Sequence, residues 1–204
     1  MLKDKPPARG TKGRQTRERL LGAALAEFKR DGMAGADIAA IVSAAGVAHA
    51  TFFFHFPTKE HVLFELEKRE EDRIAADLAQ CFAEPHDVRT TLTATLRSLQ
   101  DLETRLGHRL FKDFLGLHFS STRPPPEEVL LHPVIVTVVD ELRNAQGRGE
   151  IPAEVDVFHK GVSFLAGLYA LLIMLPPAEE VRTPFLAEYL STYLLGLRVE
   201  CATG

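Results

Sequence analysis

The chain has 204 residues, of which 46% are hydrophobic and 25% charged, and its formal net charge is −4 at pH 7. This composition allows a sizeable core, as in ordinary soluble proteins, and the abundance of Ala, Leu, Glu and Arg favours an all-α fold. Cys81 and Cys201 match no disulfide framework and no metal-ligand spacing, so we expect a reducing compartment. The polar N-terminus lacks the apolar core of a signal peptide, and we expect a cytoplasmic protein.

The charge is divided unevenly along the chain. Residues 1–60 contain ten basic and six acidic residues, a net charge of +4, whereas residues 61–204 contain 14 basic and 22 acidic residues, a net charge of −8. A basic segment joined to an acidic body indicates a polyanionic partner at one end only. A solvated basic tail has the same composition, and charge alone leaves both alternatives open.

The first sixty residues predict a basic arm followed by three helices. Residues 1–13 are rich in Lys, Pro and Gly and predict a disordered arm. Helical spacing begins at Gln15 and stops at the C-cap signal Asp31-Gly32. Asp37 is a good N-cap for a short second helix that Gly46 closes, and a third short helix follows. One helix of about sixteen residues and two of about eight around a glycine-containing turn have helix-turn-helix spacing.

The remaining residues predict an all-helical body, with about nine helices in the whole chain. Residues 134–139, VIVTVV, have the composition of a strand, but they continue into 140–143 without a turn signal and would have no partner strand. The apolar run 161–175 is too short to span a bilayer and predicts a buried helix, so we expect no membrane partner. The predicted body helices cover about residues 59–82, 87–103, 107–118, 130–146, 156–175 and 183–201.

A specific residue pattern occurs within the predicted helix-turn-helix. It consists of Ala23-Ala24, Phe28, Gly32, Ile41, Ala45-Gly46-Val47, Thr51, Phe52, Phe53, His55-Phe56 and Lys59-Glu60. In this pattern residues 16–63 resemble the N-terminal domain of TetR-family regulators. The resemblance implies an all-α fold in which a three-helix helix-turn-helix DNA-binding domain joins a helical ligand-binding and dimerisation domain. It divides the chain into the arm at 1–13, the DNA-binding domain at 14–60 and the body at 61–204.

Three positions depart from the family's pattern. Ala48 stands where the family usually has a hydroxyl residue, so the recognition helix lacks its usual N-cap side chain. Ala50 replaces a common glycine, and Phe53 replaces a tyrosine whose hydroxyl can reach a backbone phosphate. These departures predict altered anchoring on the DNA backbone, with His55 and Lys59 carrying more of it.

The predicted DNA contacts divide by chemistry. Lys59 begins a helix, where exposed N–H groups and a positive side chain can hold a phosphate. Phosphate contacts position a protein, whereas base edges in the major groove carry the sequence information. We expect phosphate contacts from Arg14, Thr16, Arg17, His55 and Lys59, and base contacts from His49, Ala50 and Thr51. Asp37 and Phe53 complete the predicted DNA-binding set, Phe53 being equally consistent with core packing.

The body carries two further predicted sites. Aromatic and flexible apolar residues on helices that face one interior predict an effector cavity. For each of these residues taken singly, packing in a filled core is the alternative. The predicted ligand-binding residues are Phe111, Phe114, Leu115, His118, Phe164 and Tyr169. Small residues let another helix approach closely, which predicts a four-helix dimer interface. Its predicted residues are Gly161, Phe164, Gly167, Leu168, Leu190, Tyr193, Leu194 and Leu197.

The sequence therefore predicts a ligand-responsive regulator, most simply a repressor. Its expected partners are a palindromic double-stranded DNA operator, a small, largely apolar effector and a second copy of the chain. We expect no cofactor and no metal, because His108, His118, His132 and His159 show no ligand spacing typical of zinc. The sequence contains no nucleophile–base pair and no Gly-rich phosphate loop that would indicate an enzyme. The alternative is an all-α small-molecule-binding protein or enzyme with a vestigial helix-turn-helix.

Overall fold

The structure is a computed structural model that describes residues 9–120 and 132–197. Within these residues it has nine α-helices, one 3-10 helix at Leu117–Phe119 and no strand, which confirms the all-α class. The α-helices are α1 (Arg9–Gly35), α2 (Ile38–Ala45), α3 (His49–His55), α4 (Lys59–Phe82), α5 (Val88–Leu106), α6 (His108–Gly116), α7 (Pro133–Gly147), α8 (Val157–Met174) and α9 (Glu179–Leu197).

One compact unit contains the described residues up to Leu66 together with Leu106–Phe114. Its core consists of apolar side chains that recur every three or four residues on α1, α2, α3, the start of α4 and α6, so each amphipathic helix buries one face. The largest of these buried side chains are Leu20, Phe28, Ile41, Phe52, Phe56, Leu63, Phe111 and Phe114. The domain division predicted at residue 60 differs from this unit, which also contains most of α6.

The first helix differs from its prediction at both ends. It begins at Arg9, so residues 9–13 are helical rather than disordered, and the rest of the predicted arm lies outside the described residues. The predicted stop at Gly32 is a break within α1, where φ is 75° and ψ 164°. After the break, the Met33 amide donates to Asp113 Oδ2 over 2.6 Å, which holds this end of α1 on α6.

The second unit contains residues from Glu67 to Arg105 and the described residues from Leu115 onward. Residues 134–139 are helical, because Val134, Val138 and Val139 share the buried face of α7. Tertiary burial has therefore overridden the strand propensity of these valines.

Asp156 caps α8 by accepting hydrogen bonds from the amides of Phe158 and His159, both at 3.1 Å.

Helix α8 is the central apolar helix of this unit. Among the described residues it is the single helix long and apolar enough to cross a membrane by length and composition, and α2 with α3 qualifies only as one bent pair. Helix α8 begins four residues before the apolar run 161–175, so the length of that run does not exclude a membrane span. Helix α8 buries Phe164, Leu165, Leu168 and Leu172 and packs on α7 and α9, as a core helix does.

Two glycines allow this close packing of α8. A Cβ at Gly161 would lie 2.6 Å from Val139 Cγ2 on α7, and a Cβ at Gly167 would collide with the Tyr189 hydroxyl on α9. Tyr189 instead donates its hydroxyl proton to the Phe164 carbonyl oxygen over 2.7 Å. The small residues of α8 thus admit neighbouring helices of the same chain.

Candidate functional site

Helices α2 and α3 have the geometry of a helix-turn-helix. Their axes meet at 95°, within the range typical of this motif. Gly46 ends α2 with φ 64° and ψ 43°, a left-handed conformation that glycine adopts without a Cβ penalty. Asp37 starts α2 by accepting a 2.9 Å hydrogen bond from the Ala39 amide, so its role in this structure is an N-cap.

The two faces of α3 differ sharply in burial. Phe52 and Phe56 are completely buried and fix the helix on the core, as core packing predicted. His49 and Ala50 are exposed and Thr51 is half-buried, so the predicted base-reading residues lie together at the start of the helix. Sequence reasoning missed Phe54, which is 83% exposed on the same short helix.

The departures from the family pattern have visible structural counterparts. Ala48 occupies the N-cap of α3 in an extended conformation and makes no side-chain capping bond. Phe53 is 44% exposed, and its ring meets Phe52 and His49 at centroid distances of 5.4 Å each. Phe53 therefore belongs partly to the aromatic packing of α3 and partly to its outer face.

Arg17 makes contacts within the chain rather than standing free. Its guanidinium donates to the His55 carbonyl oxygen over 2.6 Å and to Glu65 Oε2 over 3.0 Å. It also lies 4.3 Å from the centre of the Phe56 ring, a cation–π distance. Arg17 thus joins α1 to the end of α3 and to α4, a role that its sequence position did not indicate.

Lys59 also has partners within the chain. Its ammonium donates to the carbonyl oxygens of Ala34 and Ala36, both at 3.1 Å. Ala34 lies in the last turn of α1 and Ala36 in the connection to α2, so Lys59 holds the end of α1 and this connection against the start of α4. Its predicted phosphate contact stays a prediction, and the structure adds this supporting role.

The other predicted phosphate contacts differ in exposure and charge. Arg14 is exposed, whereas Thr16 and His55 are half-buried. Burial and the nearby Arg17 charge lower the pKa of His55. At neutral pH the His55 imidazole is therefore uncharged and suits a hydrogen bond to a phosphate better than an ion pair.

The predicted effector residues fall in different units. Phe111 and Phe114 are buried in the unit that contains the helix-turn-helix. Leu115, Phe164 and Tyr169 are buried in the second unit, where His118 is half-buried. The His118 and Tyr169 rings meet edge to face at a centroid distance of 4.8 Å. The two polar candidates of the second unit thus lie together.

A polar cluster that was not predicted from the sequence surrounds His118. His118 Nε2 lies 3.2 Å from both Glu67 Oε1 and Glu71 Oε1, and His132 Nδ1 lies 2.8 Å from Glu71 Oε2. Burial raises the pKa of Glu71, but hydrogen bonds and charge from the two histidines outweigh it and hold this pKa at about 2. We call these four residues the Glu-His cluster.

One sequence signal could have revealed this cluster. Glu67 and Glu71 are separated by four residues and continue the line of Leu63, Ile74 and Leu78 along α4. That line is the buried face of the helix, so both carboxylates are buried although Glu71 lies in the charged run 68–73. The spacing of the glutamates alone could not have named the two histidines.

Most predicted dimer residues have contacts inside the chain. Gly161, Phe164, Leu168, Leu194 and Leu197 are buried without a second subunit. Gly167, Leu190 and Tyr193 are half-buried, and the Tyr193 ring lies 5.0 Å from that of Phe164. The exposed apolar side chains of α9 are instead Val181, Phe185 and Leu195.

Comparisons with known proteins agree with this architecture. Residues 20–66 match the family model described as bacterial regulatory proteins, tetR family. No curated protein matches the chain significantly. Three solved structures have a similar fold, and because their sequence identities are low, the likeness shows the fold alone.

RolR in complex with resorcinol has a TM-score of 0.70 and 22% identity, covering 95% of this chain and 93% of its own. Thermus thermophilus FadR, a TetR-family transcriptional repressor in complex with lauroyl-CoA, has a TM-score of 0.66 and 21% identity, covering 92% and 98%. The ketosteroid transcriptional regulator KstR2 of Mycobacterium tuberculosis has a TM-score of 0.59 and 19% identity, covering 90% and 95%.

Proposed function

We propose that the chain is a transcriptional regulator of the TetR type, whose family model matches residues 20–66, and that it acts as a cytoplasmic repressor. It binds a palindromic operator as a homodimer, and a small, largely apolar effector releases it. The exposed start of α3 carries the proposal, because His49 and Ala50 face outward while Phe52 and Phe56 anchor the helix. The major groove, about 12 Å wide, admits one such helix.

The proposed contacts follow the exposure of each side chain. His49, Ala50 and Thr51 meet base edges, and the methyl groups of Ala50 and Thr51 can pack on a thymine methyl group. Arg14, Thr16, His55 and Lys59 contact phosphates. Arg17 keeps these elements in register through its bonds to the His55 carbonyl and Glu65.

The proposed homodimer accounts for the palindromic operator. A twofold axis places two recognition helices about 34–36 Å apart, one turn of DNA. The outer face of α9 supports this assembly, because Phe185 and Leu195 are exposed there and follow the same side of the helix as Glu188 and Thr192. Exposed apolar side chains on one helical face are typical of an interface between subunits.

The proposed effector binds in the second unit beside His118 and Tyr169. Apolar pockets orient their ligands through a few polar groups, and these two rings provide such groups in the unit that also buries Leu115 and Phe164. RolR was solved with resorcinol and Thermus thermophilus FadR with lauroyl-CoA, so phenolic and acyl compounds are the first candidates to test.

Selection from a random double-stranded DNA library tests the proposed DNA binding directly. We expect an enriched palindrome whose binding falls by about 10³–10⁵-fold between 50 and 200 mM salt if six to ten phosphates are contacted. Ala50→Glu should abolish binding, because it places an anion against the groove. Its control, Ala76→Glu, adds the same charge to an exposed position of α4 and should bind normally.

Two outcomes of this experiment would contradict the proposal. Failure to enrich any sequence at low salt, with folded protein, would favour the small-molecule carrier with a vestigial helix-turn-helix. Equal enrichment by Ala50→Glu would remove α3 from the interface. Release of the selected DNA by resorcinol, lauroyl-CoA or related probes is expected for the correct effector class, and tightening of the complex would contradict repression by effector release.

A further inference from the structure

The Glu-His cluster of the second unit combines four side chains that ligate metal ions. Glu67 and Glu71 project from adjacent turns of α4, His118 lies in the 3-10 helix, and His132 immediately precedes α7. Their four ligand atoms all lie within 4.8 Å of one another. Three separate segments of the chain therefore bring two imidazoles and two carboxylates to one point.

We propose that Glu67, Glu71, His118 and His132 bind one divalent transition-metal ion of the zinc class. The site does not depend on the DNA-binding proposal, since all four side chains belong to the second unit, and it shares His118 with the proposed effector site. Imidazole nitrogen and carboxylate oxygen are ordinary ligands of zinc, at about 2.0–2.2 Å from the ion. Ligand atoms of a tetrahedral zinc site are then about 3.3–3.6 Å apart.

The distances in the cluster are close to this requirement. The contacts from His118 Nε2 to Glu67 Oε1 and to Glu71 Oε1 are both 3.2 Å, and that from His132 Nδ1 to Glu71 Oε2 is 2.8 Å. The other ligand atoms lie within 4.8 Å of one another, so side-chain shifts on the order of 1 Å would convert the hydrogen-bonded arrangement into a coordination sphere.

The charge of the cluster favours a divalent cation. Glu67 and Glu71 are each only 4% exposed, and buried carboxylates are strongly unfavourable unless they are paired or coordinate a metal. One divalent ion supplies two positive charges, which balance the negative charges of two ionised glutamates.

The donor set narrows the identity of the ion. Two nitrogen and two oxygen ligands without a thiolate disfavour soft Cu(I), and the two imidazoles disfavour Mg²⁺ and Ca²⁺, which take oxygen ligands. Zn²⁺ and its neighbours in the first transition row remain. Zn²⁺ is the natural first probe, because its d¹⁰ configuration imposes no geometric preference on the four ligands.

Metal uptake by the full-length, tag-free protein tests the site. Chelator-treated protein is dialysed against Zn²⁺, and bound metal is measured by mass spectrometry alongside thermal unfolding. We expect one ion per chain and a rise in melting temperature of about 5–10 °C at a free Zn²⁺ concentration 100 times the dissociation constant. Mg²⁺ at the same concentration should cause no rise.

Variants locate the bound ion. Glu71→Gln and His132→Gln each remove one ligand and should weaken Zn²⁺ binding by at least about 100-fold, since loss of even an outer partner costs 10–100-fold. His159→Gln is the matched control, because His159 pairs with Asp156 on the exposed start of α8 and lies outside the cluster. Circular dichroism checks that each variant is folded.

The wild-type measurement decides the proposal even where a variant fails to fold. Less than half an ion per chain at saturating Zn²⁺ would overturn it and identify the cluster as a hydrogen-bonded network. Equal uptake by folded Glu71→Gln and His132→Gln would overturn it as well, because the ion would then lie elsewhere. DNA binding plays no part in either readout, so failure of the repressor proposal leaves this test intact.

Discussion

Arg17 and Lys59 illustrate how a cationic side chain in a DNA-binding domain can serve the fold. The Arg17 guanidinium is shared among the His55 carbonyl, Glu65 and the face of Phe56. Because Arg17 and Glu65 are about a quarter to a third exposed, solvent weakens their ion pair. The bond to the carbonyl at the end of α3 and the stacking on Phe56 therefore contribute most of the stabilisation.

Replacing Arg17 should reveal a structural role at the residue scale. We expect Arg17→Ala to lower the free energy of unfolding by about 1–2 kcal/mol, because a charge-assisted hydrogen bond and a cation–π contact are lost. Arg17→Lys should recover only part of the lost stability, since an ammonium cannot reproduce the planar set of donors of a guanidinium. Urea unfolding of the purified protein measures both changes.

Arg14→Ala provides the matched control, because Arg14 is exposed on the same helix. We expect it to leave unfolding unchanged and to reduce the salt slope of DNA binding by about one phosphate contact. The opposite pattern, a stable Arg17→Ala protein with a reduced slope, would return Arg17 to the phosphate-contact role predicted from the sequence.

At the scale of elements, α3 depends on packing more than on its own propensity. It has only seven residues, and helices this short are unstable in isolation. Its start also lacks a side-chain cap, because the methyl side chain of Ala48 has no hydrogen-bond acceptor. The buried rings of Phe52 and Phe56 therefore hold in place the helix that we propose reads the DNA.

Restoring the missing cap should stabilise this element. Ala48 has φ −73° and ψ 150°, the extended conformation of an N-cap. We expect Ala48→Ser to raise the free energy of unfolding by about 1 kcal/mol, because its hydroxyl can accept from an amide of the first turn. Thermal or urea unfolding measures the change.

Ala44→Ser, at an exposed position within α2, is the control for this prediction. It should be neutral or destabilising by about 0.5 kcal/mol, since serine is a poorer helix former than alanine. Equal effects of the two serines would show that α3 gains nothing from a cap.

At the scale of the whole molecule, charge and exposed apolar surface are distributed for different partners. The first sixty residues have a net charge of +4, whereas the body has a net charge of −8. The body exposes apolar side chains on α9, among which Leu195 is 65% exposed. An acidic body disfavours DNA on this face, and we have proposed from the exposed apolar side chains of α9 that a second copy of the chain covers it.

A charge at Leu195 should weaken the proposed dimer. We expect Leu195→Glu to raise the dimer dissociation constant by about 100-fold or more, because the twofold axis brings an unpaired charge into the interface twice. Analytical ultracentrifugation over a concentration series measures this change. The control Ala79→Glu, on the exposed side of α4, should leave the dimer dissociation constant unchanged. If Leu195→Glu does not weaken the dimer, the interface lies elsewhere.

The all-α class, the helix-turn-helix and the resemblance to the TetR family could be predicted from the sequence alone. These features depend on local signals: apolar spacing on each helix, the Asp37 and Gly46 caps, and a residue pattern confined to about one quarter of the chain. The missing cap at Ala48 was also predictable, because capping involves only neighbouring residues.

Only the tertiary structure decided which side chains meet. It gave Arg17 and Lys59 partners on other helices, packed Gly161 and Gly167 against α7 and α9 of the same chain, and joined Glu71 to His118 and His132. These contacts join residues far apart along the chain, and helical periodicity specifies a buried face without specifying what covers it. The helix-turn-helix could be read from neighbours in sequence, whereas the Glu-His cluster exists only because three distant segments converge.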